Sequence, residues 1–144
     1  MAAKDNEKLI YKQLVSKYKI DFEKSKPEII VDGLEVSVDF IWKDKDLTYL
    51  FEIDSNNAAK IIFGEYVLLN QVKAYKSNCI LVIIHFYKNY NIERTRKYLK
   101  FANEKLECKL PYLVFSNSEW HELIKTKNKT QLINLFKKSL KPNN

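Results

Sequence analysis

The fold is decided by one apolar run, CILVII at residues 79–84. It is far shorter than the ~20 residues that a membrane-spanning helix needs. It has the length of a buried strand, and the residues that follow it as far as Tyr87 are apolar except for His85. Such a nearly continuous apolar strand is typical of the centre of a sheet. We therefore predict a buried central strand from Cys79 to Tyr87.

Upstream of this run, the sequence predicts an antiparallel meander of three strands, at residues 28–31, 34–42 and 47–54. The first turn is Asp32-Gly33, a strong hairpin signal, and the second is the charged segment 43–46. Short turns of this kind join antiparallel neighbours. In the second strand, Leu34, Val36, Val38 and Phe40 are expected on one face, with Asp39 on the other.

Downstream, the hydrophobic period changes to that of helices. Helices are predicted at 57–76, with N-cap residues in Ser55-Asn56-Asn57, and at 91–107. They connect the central strand to its neighbours, including a strand at 112–116, so these strands should run in parallel. Further helices are predicted at 5–18, from a cap within 116–118 to 125, and at 129–140. The expected fold is a single α/β domain, residues 1–144, with a mixed central sheet flanked by helices.

The composition excludes several enzyme classes. Two glycines cannot build a glycine-rich phosphate loop, and no Ser-His-Asp elbow is present. NTPases, dinucleotide enzymes and α/β-hydrolases are therefore excluded. Cys79 and Cys108 are predicted to be reduced thiols, because neither has a CxxC partner. His85 and His121 have no partner at ligand spacing and are predicted to be structural.

The chain carries 25 Lys and Arg against 18 Asp and Glu, a net charge of +7. This charge favours DNA or another anionic partner, although a bias towards Lys, Asn and Ile in the source would also produce it. The basic face of helix 91–107, which includes Arg94, either contacts phosphates or is simply solvated. Tyr87, Tyr90 and Tyr98 are interleaved with basic residues and either stack on exposed bases or lie at the edge of the core. The N-terminus has no apolar signal core, so we expect a cytoplasmic location without membrane partners.

Three carboxylates are expected at strand ends. Asp39 lies near the end of the second strand, and Glu52 and Asp54 end the third strand on one shared face. Crowded carboxylates need a cation to offset their repulsion, and a divalent ion such as Mg²⁺ or Mn²⁺ is the usual solution. The alternative is three separate solvent-facing charges, and spacing alone leaves both open.

The order α-β-β-β-α-β, with Asp39 on the second strand and Glu52-Ile53-Asp54 on the third, resembles the PD-(D/E)XK nuclease superfamily. The helix that follows carries Gln71 and Tyr75 at the Gln-x-x-x-Tyr spacing of the RecB-like branch. Glu7 on the first helix matches an acidic residue that many members carry there. The resemblance covers roughly residues 5–87. It implies a restriction-endonuclease-like fold.

The resemblance also implies residue roles. Asp39 and Glu52 would bind Mg²⁺ or Mn²⁺, Asp54 would be a third ligand or would support the ligands from behind, and Lys60 would replace the lysine that the superfamily has at position 54. Gln71 and Tyr75 would position the nucleic acid. Lys73, which lies between them in the sequence, and Arg94, from the basic face of helix 91–107, are predicted as further contacts. The segment Phe51–Ser55 is also similar to a strand of replication-relaxation factors of mobile elements, which share this Glu-x-Asp.

These features imply a metal-dependent DNA nuclease that hydrolyses phosphodiesters. The alternative is an inactive nuclease-like domain that binds DNA or protein, in mobile-element replication or in defence. A third alternative is a small subunit that docks on a larger enzyme through an apolar stripe on residues 132–140. A homodimer or a larger complex is compatible with each of them.

Overall fold

The computed structural model describes residues 3–23, 25–56, 58–87 and 89–140. Its elements are α1 (Ala3–Tyr18), β1 (Glu28–Val31), β2 (Leu34–Val36), β3 (Phe40–Asp44), β4 (Leu47–Asp54), α2 (Ala59–Leu69), β5 (Cys79–His85), α3 (Glu93–Lys105), β6 (Tyr112–Ser116), α4 (Asn117–Leu123) and α5 (Lys129–Leu140). A 3₁₀ turn, Lys73–Tyr75, lies between α2 and β5. No helix of the described ranges combines the length and the apolar character that a membrane crossing requires.

The main sheet has four strands in the order β3-β4-β5-β6. The β3–β4 pair is antiparallel, whereas β4–β5 and β5–β6 are parallel. This confirms the predicted mixed α/β sheet and the central place of the 79–84 run. The central strand ends at His85, two residues before the predicted end. A parallel sheet is covered on both faces, and here helices cover each face.

The two faces of the sheet bury separate cores. On one face, Ile62 of α2 and Leu99 of α3 pack with Leu81 and Ile83 of β5. On the other face, α1, α4 and α5 pack against alternate residues such as Val82. The stripe on α5 belongs to this second core, because Leu132 and Phe136 are completely buried. The apolar side of α5 therefore covers the sheet.

The predicted strand 34–42 is wrong as one continuous strand. Its first part is β2, which forms a separate hairpin with β1 around Gly33, whose φ is +77°. Its second part begins at Phe40 as β3. Asp39 lies at the break, and its carboxyl Oδ2 accepts a hydrogen bond from Ile53 N at 2.7 Å. The bend also changes the faces, because Val38 packs under α2 and α3 whereas Phe40 contacts the opposite core.

The predicted helix 57–76 is too long, because α2 ends at Leu69. Asn70 donates from Nδ2 to Tyr66 O, and its Oδ1 accepts from Leu110 N at 2.8 Å. This side chain ties the end of the helix to the loop before β6. At the other end, Ala58 occupies the N-cap position without a side-chain cap, and the expected cap residue Asn57 lies outside the described residues.

Candidate acidic site

All three predicted carboxylates lie at the same end of the sheet. Asp39 directly precedes β3, and its backbone N–H donates to Phe51 O at 2.9 Å, beside Glu52. Glu52 and Asp54 end β4 and are only 9% and 7% exposed. Phe51 and its alternate neighbours pack into the α1 side, so Glu52 and Asp54 face the α2 and α3 layer.

The carboxyl group of Asp39 has an unusually high pKa. Burial is the main cause that raises its pKa, from 3.8 to about 7. The negative charges of Glu7 and Glu65 raise it further, and the hydrogen bond from Ile53 N opposes the shift. Asp39 therefore lies between a carboxylate of α1 and a carboxylate of α2.

Glu65 is the site residue that the sequence analysis missed. It projects from α2 to within hydrogen-bonding reach of the Glu52 carboxyl. Burial raises the pKa of both residues, and for Glu52 the charges of Asp39 and Glu65 add to the effect. With the carboxylates ionised, Glu65 Oε2 is buried without a hydrogen-bond partner in the described part of the chain. The signal in the sequence was a single carboxylate in a helix whose one other charged residue is Lys60.

Glu7 joins the site because α1 begins beside the end of β4. Asn6 Nδ2 donates to Ser55 Oγ at 2.8 Å, which ties the first turn of α1 to the residue after β4. Glu7 is half-buried and lies within hydrogen-bonding reach of Asp39. Ser55, which we expected to cap α2, thus holds α1 instead.

The acidic cluster therefore consists of five carboxylates: Glu7, Asp39, Glu52, Asp54 and Glu65. Within the described ranges, every charge that shifts the pKa values of Asp39, Glu52 and Glu65 is negative. Such crowding is relieved in two ways, by protons shared between carboxyls or by a bound cation. Chemically, the cluster is a proton store or a site for a hard divalent cation.

Asp54 makes a separate set of contacts. Its Oδ2 lies 2.8 Å from His85 Nδ1, and its Oδ1 accepts from Asn56 N at 3.2 Å. His85 Nε2 bonds Thr95 Oγ1 at 2.9 Å, and that hydroxyl bonds Tyr90 OH at 2.8 Å. The sequence analysis assigned His85 a structural role and no partner. In the structure, Asp54 is its partner.

Two basic candidates lie at the same end of the sheet as the acidic cluster. Lys60 is in the first turn of α2, which follows β4, and Arg94 is in the first turn of α3, which follows β5. Both side chains are exposed. Neither forms a salt bridge within the described residues. They are therefore available to an anionic ligand that approaches from solvent.

The other predicted nucleic-acid contacts lie at the opposite end of the sheet. Tyr75 lines a cavity together with Leu47, which is the first residue of β4. The acidic cluster lies at the other end of this strand, near its last residue, Asp54. An eight-residue strand spans about 26 Å. Tyr75 is buried, and Gln71 and Lys73 are exposed near it. One phosphate cannot contact both ends.

The cluster fits a divalent ion in its chemistry. All its donors are carboxylate oxygens, and Glu65 Oε2 is buried without a partner among the described residues. In the described part of the chain, no three acidic, histidine or cysteine side chains already converge as a metal site. Mg²⁺ requires only one or two carboxylates and completes its shell with water. Glu52 and Glu65, with Asp39 beside them, are the residues that would hold it.

Comparison of this chain with known protein families, with curated proteins and with solved structures finds no match.

Proposed function

We propose that this chain is a metal-dependent DNA nuclease of the PD-(D/E)XK type. The observation that supports it best is the crowding of Asp39, Glu52 and Glu65 at the end of β4, where each charge that shifts their pKa values in the described part of the chain is negative. A protein gains little from such repulsion unless a ligand relieves it. A divalent metal ion and a phosphodiester are a matched pair of ligands for this arrangement.

Part of the fold supports this proposal: four strands rather than three precede α2, with the first two in a separate sheet, but the order from β3 onwards matches. The antiparallel β3–β4 pair, the crossover helix α2 and the parallel strand β5 occur in the order that the resemblance implies. A restriction-endonuclease-like fold is therefore part of the proposal. The break of the predicted second strand places Asp39 at the start of β3, directly beside Glu52.

We assign the residues at this end of the sheet separate roles. Glu52 and Glu65, with Asp39 beside them, would hold the ion, which would supply a Lewis acid for the phosphodiester. Lys60 and Arg94 bind the phosphate backbone, because they are exposed cations at the same end of the sheet. Asp54 is bonded to His85, and we assign it a positioning role at the end of β4.

Cleavage of plasmid, single-stranded and branched DNA with Mg²⁺ or Mn²⁺ tests the proposal. We expect cleavage that EDTA abolishes and that Glu52→Gln or Glu65→Gln reduces by at least ~100-fold, the size of losing one essential electrostatic contact. Glu35→Gln is the matched control, because Glu35 is an exposed glutamate on β2. Cleavage that survives Glu52→Gln would contradict the proposal.

A second candidate is an inactive nuclease-like module that binds DNA or protein. It is favoured by Asp54, which stands where the superfamily has its lysine and which is bonded to His85 rather than directed at a ligand. This candidate predicts salt-dependent DNA binding without cleavage, and unchanged binding in Glu52→Gln. Calorimetric detection of Mg²⁺ or Mn²⁺ bound to the wild type but not to Glu52→Gln would count against it.

A further inference from the structure

An aromatic groove lies on the outer surface between α2 and α3. It has a volume of about 450 Å³, and its lining is almost entirely apolar. The residues that line it are Phe63, Lys97, Tyr98 and Phe101. Phe101 is 53% exposed, although it is a large apolar side chain. The core does not need this ring, so its position calls for another role.

The three rings form one surface. The Phe63 ring centroid lies 5.8 Å from that of Tyr98 and 6.4 Å from that of Phe101, with interplanar angles of 58° and 47°. The rings are tilted and not stacked on each other, so they do not cover each other's faces. A flat π-system can therefore pack on them.

Basic side chains surround the aromatic groove. Lys97 lines it, Lys60 precedes Phe63 by one helical turn, and Arg94 and Lys105 lie about one turn from Tyr98 and Phe101. None of the four forms a salt bridge within the described ranges. The two acidic residues of α3 are already paired, Glu93 with Arg96 and Glu104 with Lys100. The rim therefore carries uncompensated positive charge.

We propose that this aromatic groove binds the unpaired bases of single-stranded nucleic acid, with the rim cations on the phosphates. Apolar faces beside uncompensated cations match the alternating bases and phosphates of a single strand. In a duplex the bases are stacked on each other and cannot reach the rings. The charge of the rim also distinguishes this ligand from an uncharged apolar partner.

The inference rests on the proposed nuclease, because it names the substrate class that the acidic cluster would receive. Phe63 lies four residues after the start of α2, which corresponds to about 6 Å along the helix axis. Tyr98 lies a similar distance into α3. These two rings therefore lie near the N-terminal ends of α2 and α3, the helix ends that follow the ends of β4 and β5.

Fluorescence anisotropy in EDTA measures binding while cleavage is off. The probe is a fluorescein-labelled oligo(dT) of about 15 nucleotides, near the upper site size of one small domain. We expect tighter binding to this strand than to a duplex of equal length. Phe101→Ala should weaken binding about tenfold, the effect of losing one stacked base. Ile29→Ala is the control, because Ile29 is 73% exposed on the separate hairpin.

Two further substitutions of Phe101 distinguish base stacking from nonspecific apolar binding. Phe101→Leu keeps an apolar surface and should weaken binding as much as Phe101→Ala. Phe101→Trp should keep the affinity, and the strand should quench the fluorescence of the new tryptophan. The native Trp42 and Trp120 are buried, so the quenching reports on position 101. Lys97→Ala should lower the slope of log K against log salt by about one.

Three results would overturn the inference: wild-type affinity in Phe101→Leu, equal affinity for duplex, or a homodimer that Phe101→Ala dissociates. The last result would show that the groove binds a second copy of the chain. If the wild type binds the strand in EDTA but cleaves no DNA with Mg²⁺ or Mn²⁺, only the nuclease is contradicted. If the wild type cleaves DNA but Phe101→Ala binds the strand as tightly as the wild type, only the groove is contradicted.

Discussion

Asp54 and His85 face each other across the parallel β4–β5 pair, and their side chains bond at 2.8 Å. Both are almost completely buried. The far nitrogen of the imidazole bonds Thr95, so every polar atom of the ring has a partner. This link fixes the end of β4, from which Glu52 also projects.

Replacing His85 should destabilise the protein strongly. His85→Ala leaves the Asp54 carboxyl buried without its partner, which we expect to cost about 3 kcal/mol in the free energy of unfolding. Urea denaturation followed by circular dichroism measures it. His121→Ala, at an exposed histidine, should change stability by no more than about 0.5 kcal/mol. Equal midpoints for His85→Ala and the wild type would show that the link contributes nothing.

Local patterns predicted the parts of the fold that depend on local interactions. The strands 28–31, 47–54 and 112–116 and the helix 129–140 were predicted with the bounds that the structure has. In each case an apolar run or a clear helical period lies between turn or capping residues. The mixed sheet followed from loop lengths in the same way.

The errors all involve contacts between residues that are distant in sequence. The end of α2 depends on Asn70 and on Leu110 N, 40 residues later. The break before β3 depends on the bond from Ile53 N to the Asp39 carboxyl. Glu65 enters the site only because α2 packs across the end of β4. No pattern within a short window contains this information.

The pH dependence of stability should reveal the acidic cluster. In the folded protein Asp39 holds its proton up to about pH 7, whereas its ordinary pKa is 3.8. The folded state binds more protons in this window, so the stabilisation is complete below pH 3.8 and is lost as pH rises through 7. The raised pKa of Glu52 extends the loss to higher pH.

Neutral isosteres test this directly in EDTA. Relative to the wild type, Asp39→Asn and Glu52→Gln should become progressively more stable as pH rises from about 4 to about 8. This range begins at the ordinary pKa of a carboxyl group and ends above the raised pKa of Asp39. Asn at position 39 keeps an oxygen for Ile53 N, so the strand junction is preserved. Glu35→Gln, at an exposed position, should follow the wild-type curve. A wild-type slope in both cluster variants would mean that the carboxyls do not interact.

Divalent ions should reverse this loss of stability. If Mg²⁺ or Mn²⁺ binds the folded cluster as proposed, then at one hundred times the dissociation constant it should add about 2.7 kcal/mol to the free energy of unfolding. Because the ion requires deprotonated ligands, the gain should increase with pH. Thermal unfolding with and without EDTA measures it. The gain should disappear in Glu65→Gln, and its persistence there would exclude Glu65 as a ligand.

Lys60 should affect cleavage and leave folding unchanged. Its ammonium is exposed in the first turn of α2, where the partial positive charge of the helix N-terminus also favours an anion. Lys60→Ala should lower kcat/KM at least about tenfold, because one charged contact to a phosphate typically contributes 1.5–3 kcal/mol or roughly that factor. Lys60→Arg should retain most of the activity, since it keeps the charge. Lys129→Ala, on α5 across the sheet, should cleave like the wild type. If Lys60→Ala also cleaved like the wild type while Arg94→Ala did not, the phosphate-binding cation of the acidic site would belong to α3.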